Sequence, residues 1–394
     1  MYQNYTQNYY KEYFVIFLIS IICSWRVIRS IFTITIIWNL HYVLFISFFL
    51  LSIFLILTKK RHNKIIFALA GLLSINLNSL VLNGFLDSQF LFSVIILNCI
   101  CFFIYILENQ NLNWIKIIDT VMISIVVVQA LCILDIFLSW RIIDYSYIED
   151  KTGVPNIGAR GATKLFMLFG IDNLMITRIS GVSGTPYASG GLVASIAAYF
   201  FAIKKYYKFL FSFIVLIFIS SLSSIIALFF ILIFISKRMA IPMLLIVAPI
   251  AYTIIIGYIN IIASIPFIDV LKIFTQLSYN NNHSSMVYFM TAIIGEGRLS
   301  GFVQSEFRLL NLFFSLGVFG TIIFIYTSFK LNHYSKVCIS KDLRFKGYPF
   351  FLITLIIANW HYHSFFVFPN IVITTLIISL IIVNYHKINS LEMK

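Results

Sequence analysis

Charged residues are scarce in this chain: they make up 11% of its 394 residues, less than half the share of about 25% that is usual in soluble domains. Hydrophobic residues reach 61% and aromatic residues 17%. A soluble enzyme needs a polar surface, and a disordered chain is poor in aromatic residues, so the composition excludes both classes. It predicts an integral membrane protein.

Sequence motifs for nucleotides and metal ions are absent too. There is no Walker A sequence, no HExxH and no Cys/His spacing typical of a metal site. No Asp-x-Asp pair lies in the first outward-facing loops, where many lipid-dependent glycosyltransferases hold a metal ion. The five cysteines lie in apolar runs or among lysines and predict no disulfide framework. These absences favour a chemistry that needs neither a metal ion nor a cofactor.

The apolar runs predict an all-α, polytopic helical bundle. Most of them approach the ~20 residues with which a helix crosses about 30 Å of hydrocarbon, and they lack the alternation of barrel strands. About twelve membrane segments are predicted in a single membrane domain, 1–394. Their ranges are 13–33, 38–58, 65–86, 89–107, 117–139, 188–203, 209–219, 224–236, 240–262, 309–329, 349–360 and 368–385.

Two parts of the chain, 13–33 and 209–236, do not match a single uninterrupted membrane helix. Arg26 and Arg29 interrupt the first segment. The segments 209–219 and 224–236 are each too short to cross a membrane alone, so the run forms either one long tilted helix or two helices. Clusters of Lys and Arg flank the run on both sides. Because both clusters belong in the cytoplasm, two helices are favoured.

The net charge of +14 reports the orientation in the membrane. With both termini in the cytoplasm, the cytoplasmic segments carry this whole excess, and the outward segments hold equal numbers of basic and acidic residues. The positive-inside rule requires such a distribution, so the charge does not indicate a nucleic-acid partner. Two long loops, 140–187 and 263–308, then face outward. Loops of this length are usually functional.

The first candidate site lies where the first long loop meets the sixth segment. Arg178 is followed there by Gly181, Gly184 and other small residues. Small residues let the backbone approach a ligand closely, and the start of a helix offers free N–H groups to an anion. Arg178 adds a forked donor suited to phosphate. A helix-packing cap with an interfacial arginine explains the same residues equally well.

Two further clusters are predicted at the same face. Arg298, Glu306 and Arg308 end the second long loop, and His361 and His363 lie at the turn between the last two segments. Histidine has an unperturbed pKa of about 6.5 and can act as a base. Pairing with lipid headgroups and anchoring at the interface are the alternative interpretations. Together the three clusters suit a substrate with an anionic head at the outer leaflet and an apolar tail in lipid.

The sequence resembles the bacterial O-antigen polymerase family, which shares its architecture with O-antigen ligases. The resemblance is carried by Arg178-x-Ser180-Gly181-x-x-Gly184-x-Pro186, by Ser305-Glu306 and by Gly317-x-x-Gly320, with the two large outward loops. One residue departs from the family pattern: Tyr187 follows Pro186, where members often have Asn.

The resemblance implies glycosyl transfer at the periplasmic face of the bacterial inner membrane. A growing glycan on undecaprenyl pyrophosphate would move onto a newly arrived lipid-linked repeat unit. The residues implied to bind the pyrophosphate leaving group are Arg178, Arg298, Arg308, Gly181 and Gly184. The implied partners are the undecaprenyl-pyrophosphate-linked oligosaccharides, membrane lipids and a separate chain-length regulator protein.

The base that takes the proton of the acceptor hydroxyl is Glu306, His361 or His363, and the sequence does not decide between them. Two alternative functions share parts of the pattern. An O-antigen ligase uses the same donor and transfers the glycan to lipid A–core. A lipid-linked oligosaccharide flippase would have short loops throughout and basic residues deep in its spans.

Overall fold

The computed structural model describes residues 2–32, 88–140, 142–143, 181–219, 221–236, 293, 308–358 and 369–392. These residues are mostly helical, and no strand occurs among them, as the predicted fold class requires. The α-helices are α1 Tyr2–Cys23, α2 Trp25–Phe32, α3 Ser88–Asn109, α4 Trp114–Phe137, α5 Pro186–Ala202, α6 Tyr206–Ile219, α7 Leu222–Ile235, α8 Arg308–Lys341, α9 Gly347–Ala358 and α10 Asn370–Glu392. Short 3₁₀ helices, Gly181–Ser183 and Leu343–Lys346, precede α5 and α9.

Two of these helices, α4 and α10, are long and apolar enough to cross a membrane. The pair α1 and α2 adds a third span if it is counted as one, although the chain bends by 69° between the two helices. The predicted segment 13–33 is therefore two helices rather than one. The apolar helices α5, α6 and α7 are shorter, and the predicted segments 38–58, 65–86 and 240–262 lie outside the described residues.

Helices α6 and α7 form a hairpin. The rings of Phe213 and Phe229 contact each other with centroids 5.9 Å apart. In one continuous helix these residues would be about 24 Å apart, since each residue adds about 1.5 Å. The hydroxyls of Ser221 and Ser224 are hydrogen-bonded at 2.8 Å where the chain reverses. The prediction of two helices in the run 209–236 is confirmed.

Helix α5 forms the centre of its part of the molecule. It is buried along almost its whole length, and α6, α7 and α9 all pack against it. Its many Ala, Ser and Gly residues allow this, because small side chains let neighbouring backbones approach closely. A Cβ atom on Gly190 would lie 2.5 Å from Cβ of Ser221, and one on Gly347 would lie 2.3 Å from the ring of Tyr199.

Helices α1 and α4 run parallel. Near the start of both, Lys116 donates to Glu12 at 3.2 Å, and eight residues further along each helix the hydroxyls of Ser20 and Ser124 are 2.8 Å apart. The segments 13–33 and 117–139 are both predicted to run outward. Their common direction agrees with that prediction.

Helix α5 runs antiparallel to α4. Tyr199, near the end of α5, donates to Asp119 near the start of α4. Val182, just before α5, donates to Gln129 further along α4. The ring of Tyr348, at the start of α9, stacks on that of Tyr199, and α9 packs against α5. Helix α9 is therefore antiparallel to α5. These directions agree with the predicted alternation of segments. We call the two ends the Gly181 end and the Asp119 end.

The chain forms two compact units. The first contains α1, α2, α4 to α7, α9 and the start of α10 up to Thr374; the second contains α3, α8 up to Cys338 and α10 from Thr375. In the second unit α3 and α10 run parallel, since Ser379 donates to the carbonyl of Ile100 at 3.1 Å and Lys387 donates to that of Leu107 at 3.5 Å.

Helix α8 is broken at Gly317, where φ is +63°, and it extends beyond its predicted segment. The segment 309–329 was expected to end in a connection, but the helix continues to Lys341 because one face of this stretch, including Tyr334 and Cys338, is buried. Tyr334 stacks on Tyr385 with ring centroids 3.8 Å apart, and the thiol of Cys338 lies 3.6 Å from the carbonyl oxygen of Ile381. This part of α8 is antiparallel to α10, whereas the predicted segments 309–329 and 368–385 run in the same direction.

Candidate functional site

The glycine segment singled out in the sequence forms a tight turn before α5. Residues Gly181–Ser183 form one turn of 3₁₀ helix, and the N–H of Gly184 donates to the carbonyl of Gly181 at 3.3 Å. Gly181 has φ +57° and Gly184 has φ +79°. Both values lie in the left-handed region, which glycine enters without steric cost. The two glycines predicted to line the site therefore have a conformational reason to be glycine.

Thr185 caps helix α5. Its side chain accepts a hydrogen bond of 3.2 Å from the N–H of Ala188, and Pro186 occupies the first helical position, where the missing N–H costs nothing. The N–H of Ser183 donates to the hydroxyl oxygen of Ser189 at 3.1 Å. The amides of Val182, Ser183, Gly184 and Ala188 thus already have partners within the protein. The expectation of free N–H groups at the start of this helix is corrected for Ala188, whose N–H is capped by Thr185.

Gln129 of α4 packs directly on the turn. Its Oε1 accepts a hydrogen bond of 3.0 Å from the N–H of Val182. A Cβ atom on Gly181 would lie 1.9 Å from Oε1 and 2.3 Å from Nε2 of Gln129. Only a residue without a side chain leaves room for this amide. Gly181 is therefore required both by its backbone angle and by its neighbour.

Asn370 joins α10 to the same turn. The hydroxyl of Ser183 donates to Oδ1 of Asn370 at 3.0 Å, and Nδ2 of Asn370 donates to the carbonyl of Ala188 at 3.4 Å. The side chains of Gln129, Ser183, Ser189 and Asn370 are all fully buried. We call these four residues the polar cluster. It brings α4, the turn, α5 and α10 together at the Gly181 end.

Comparison with protein-family models, with curated proteins and with solved structures found no match.

Most other predicted site residues lie outside the described residues: Arg178, Arg298, Glu306, His361 and His363. The same holds for most of the two long loops, 140–187 and 263–308. Arg308 is the first residue of α8. The structure thus brings together Gly181 and Gly184, and the positions of the predicted arginines and bases relative to them stay predictions. Within the described ranges no three His, Cys, Asp or Glu residues are placed to hold a metal ion.

The sequence interpretation missed Gln129 and Asn370. Gln129 is an uncharged polar residue inside the otherwise apolar run 125–134, and Asn370 follows Pro369 at the start of the last helix. Each leaves a weak signal, because a polar side chain in a membrane segment needs a partner. The identity of that partner depends on contacts between residues more than 50 positions apart.

An apolar cavity of about 390 Å³ lies beside the turn, between α1, α2 and the second half of α4. Phe17, Ile28 and Leu131 are among its lining residues. Helix α2 contacts the Gly181–Ser183 turn, so the cavity and the turn are neighbours in the first unit. Asp135 lies at the cavity wall, and its carboxylate accepts hydrogen bonds from backbone N–H groups after α4. The cavity is therefore suited to an apolar chain.

A second polar network lies at the Asp119 end. Asp119 accepts hydrogen bonds from Tyr199 and Lys205, which neutralise a carboxylate that is otherwise buried. Burial lowers the pKa of Lys208 nearby; the charge of Asp119 raises it and that of Lys205 lowers it further. Asp119 of α4 is thus hydrogen-bonded to side chains from outside its own helix. Such pairing indicates a structural role for Asp119.

Proposed function

We propose that this chain is an O-antigen polymerase, a glycosyltransferase that joins undecaprenyl-pyrophosphate-linked repeat units at the periplasmic face of the bacterial inner membrane. The observation that carries the proposal is the Gly181 turn. It contains two of the residues by which the sequence resembles that family, in backbone conformations that favour glycine. It begins three residues after Arg178.

The surroundings of the turn support a lipid-linked substrate. On one side the polar cluster provides buried hydrogen-bonding groups, and on the other the apolar cavity has the chemistry that an isoprenoid chain requires. Gly184 leaves the backbone of the turn without a side chain, and beside Gly181 the space of a side chain is taken by the amide of Gln129. A substrate with a polar head and an apolar tail matches both surfaces.

The proposed reaction is a single displacement at the anomeric carbon of the donor glycan. The acceptor hydroxyl oxygen forms the new glycosidic bond, the bond from the anomeric carbon to the pyrophosphate oxygen breaks, and undecaprenyl pyrophosphate leaves. The proton of the hydroxyl passes to Glu306, His361 or His363. Pyrophosphate leaves without protonation if fixed cations stabilise its charge, which is the role proposed for Arg178, Arg298 and Arg308.

The test is a gel of surface polysaccharide from a strain that lacks this chain, with and without a plasmid copy. We expect the ladder to collapse to core that carries a single repeat unit, and the plasmid to restore it. That result requires export and ligation to survive, so it separates polymerase from the alternatives. Complete loss of surface repeat units would instead assign the chain as a ligase or a flippase, and an unchanged ladder would exclude all three.

A further inference from the structure

The side-chain nitrogen of Gln129 is a buried donor without an acceptor. Gln129 is fully buried, and its Nε2 has no hydrogen-bond partner among the described residues. An N–H group removed from water without an acceptor is costly, so native structures rarely keep one without a reason. At a turn that the sequence pattern also selects, such a donor leaves a place for a ligand oxygen.

The orientation of this amide is determined by its other half. Because Oε1 accepts the hydrogen bond from the N–H of Val182, a flipped amide would place two donors against each other. Nε2 therefore lies at the Gly181 turn, where it occupies the space that a side chain on Gly181 would need. The orphan donor thus points to the same turn that the sequence pattern selects.

The other groups of the polar cluster already have hydrogen-bond partners. Ser183 and Asn370 bond to each other, and Ser189 accepts from the N–H of Ser183. The hydroxyl of Thr374, one helical turn after Asn370 in α10, also lacks a partner among the described residues. Among the four residues of the polar cluster, Gln129 is therefore the one with a side-chain donor that lacks a partner among the described residues.

We propose that Nε2 of Gln129 donates a hydrogen bond to a pyrophosphate oxygen of the lipid-linked substrate. The assignment of the ligand as a pyrophosphate rests on the proposed function. Helix α4 continues for eight residues beyond Gln129, about 12 Å. The head group is thus held below the outer end of α4, at a depth where few water molecules compete and a single donor is effective. Gln129 is a substrate-binding residue that the sequence pattern alone does not reveal.

The test measures binding of farnesyl pyrophosphate to the purified full-length chain in nanodiscs of phosphatidylcholine. Gln129→Glu keeps an oxygen for the N–H of Val182 but replaces the donor with a second oxygen. We expect its affinity to fall by about tenfold or more, the loss expected for one hydrogen bond to a charged oxygen. Trp114→Phe is the matched control, because the indole N–H of Trp114 is another buried donor without a described partner, at the far end of the same helix.

Four outcomes decide the proposal. Equal binding by wild-type protein and Gln129→Glu overturns it, whatever the polysaccharide gel shows. If Gln129→Glu does not fold, Gln129→Met replaces it, since Met has a similar length without a donor or a charge; unchanged binding by Gln129→Met overturns the proposal too. Phosphatidylglycerol competing as strongly as farnesyl pyrophosphate assigns the donor to a membrane phosphate and overturns the pyrophosphate assignment. Weakened binding by Gln129→Glu, with an unchanged ladder in the deletion strain, supports the role of Gln129 in binding and rejects the proposed polymerase function.

Discussion

The hydroxyl of Ser183 donates a hydrogen bond of 3.0 Å to Oδ1 of Asn370, a residue 187 positions further along the chain. Both side chains are fully buried. The contact fixes the start of α10 to the glycine turn, so the geometry of the turn depends on a helix near the C-terminus. A local sequence motif thus obtains its shape from a distant partner.

Asn370→Ala is expected to destabilise the protein by about 1–3 kcal/mol, because it leaves the buried hydroxyl of Ser183 without its acceptor. The measurement is the free energy of unfolding in nanodiscs. Asn384→Ala is the matched control on the same helix, since the amide of Asn384 donates to Leu380 one turn earlier in that helix. Equal effects of the two substitutions would contradict the structural role of the contact.

The two glycines of the turn are expected to respond differently to asparagine. Asn enters the left-handed region more easily than other residues with side chains, so Gly184→Asn should be nearly neutral. Gly181→Asn places Cβ against the amide of Gln129 and should cost at least the ~1–3 kcal/mol of a strained backbone position. Thermal unfolding of both variants measures the difference. A neutral Gly181→Asn would show that the amide of Gln129 does not constrain this position.

At the Asp119 end, Lys205→Ala should destabilise the protein, since it leaves the carboxylate of Asp119 without its cation. The side chain of Asp119 is 8% exposed and that of Lys205 is 42% exposed. The loss should therefore lie between the ~1 kcal/mol of a surface pair and the ~3 kcal/mol of a buried one. A double variant with Asp119→Asn should be less destabilised than the sum of the single changes, as measured by unfolding in a double-mutant cycle. Lys204→Ala, its exposed neighbour, is the control.

The loop before α9 is expected to confer a small pH dependence. The side chain of Arg344 donates to Asp342 at 2.7 Å and 3.0 Å, which lowers the pKa of Asp342 from its ordinary value. A carboxyl whose pKa is lower in the folded state contributes stability above its unfolded pKa and loses it as the pH falls through the folded pKa. The difference in melting temperature between wild-type protein and Asp342→Asn should therefore shrink below about pH 4. A difference that does not change with pH would contradict the pairing.

Arg178→Ala is expected to abolish chain extension while the protein stays inserted and abundant. Loss of one fixed donor to a developing anionic charge typically lowers the rate by about 10²–10³. Gels of surface polysaccharide give the polymer length, and an immunoblot of the membrane fraction gives the amount of protein. Arg160→Ala, in the same predicted loop, should leave the length unchanged. Polymer of wild-type length in Arg178→Ala would exclude Arg178 from the reaction.

The helices that follow from hydropathy alone were well predicted. The segment 117–139 corresponds to Trp114–Phe137, and the lysine clusters correctly divided 209–236 into two helices. Hydrophobic length and the sidedness of charge are local properties of a sequence, which explains this success. The bend before Trp25 and the extension of α8 to Lys341 were not predicted, because they depend on which face of each helix is buried by other elements.

The candidate site was predicted only in part. Glycine at positions 181 and 184 indicated a close approach of the backbone to a ligand, which stays a prediction; the structure gives both positions a conformational reason to be glycine, their positive φ angles. Gln129 could not be connected to this turn from the sequence, since its hydrogen bond to Val182 spans 53 residues. The side chain of Thr185 takes one of the amides that the sequence interpretation assigned to an anion. In both cases the N–H group is bonded by a side chain whose position depends on the tertiary fold.

The central claim is that this chain joins lipid-linked repeat units. The most direct measurement supplies purified single repeat units on undecaprenyl pyrophosphate to inner-membrane vesicles from the parent strain and from a strain that lacks the chain, and follows glycan length with time. We expect a ladder of longer glycans, with one undecaprenyl pyrophosphate released per linkage, in parent vesicles alone. Extension at the same rate in vesicles that lack the chain would contradict it.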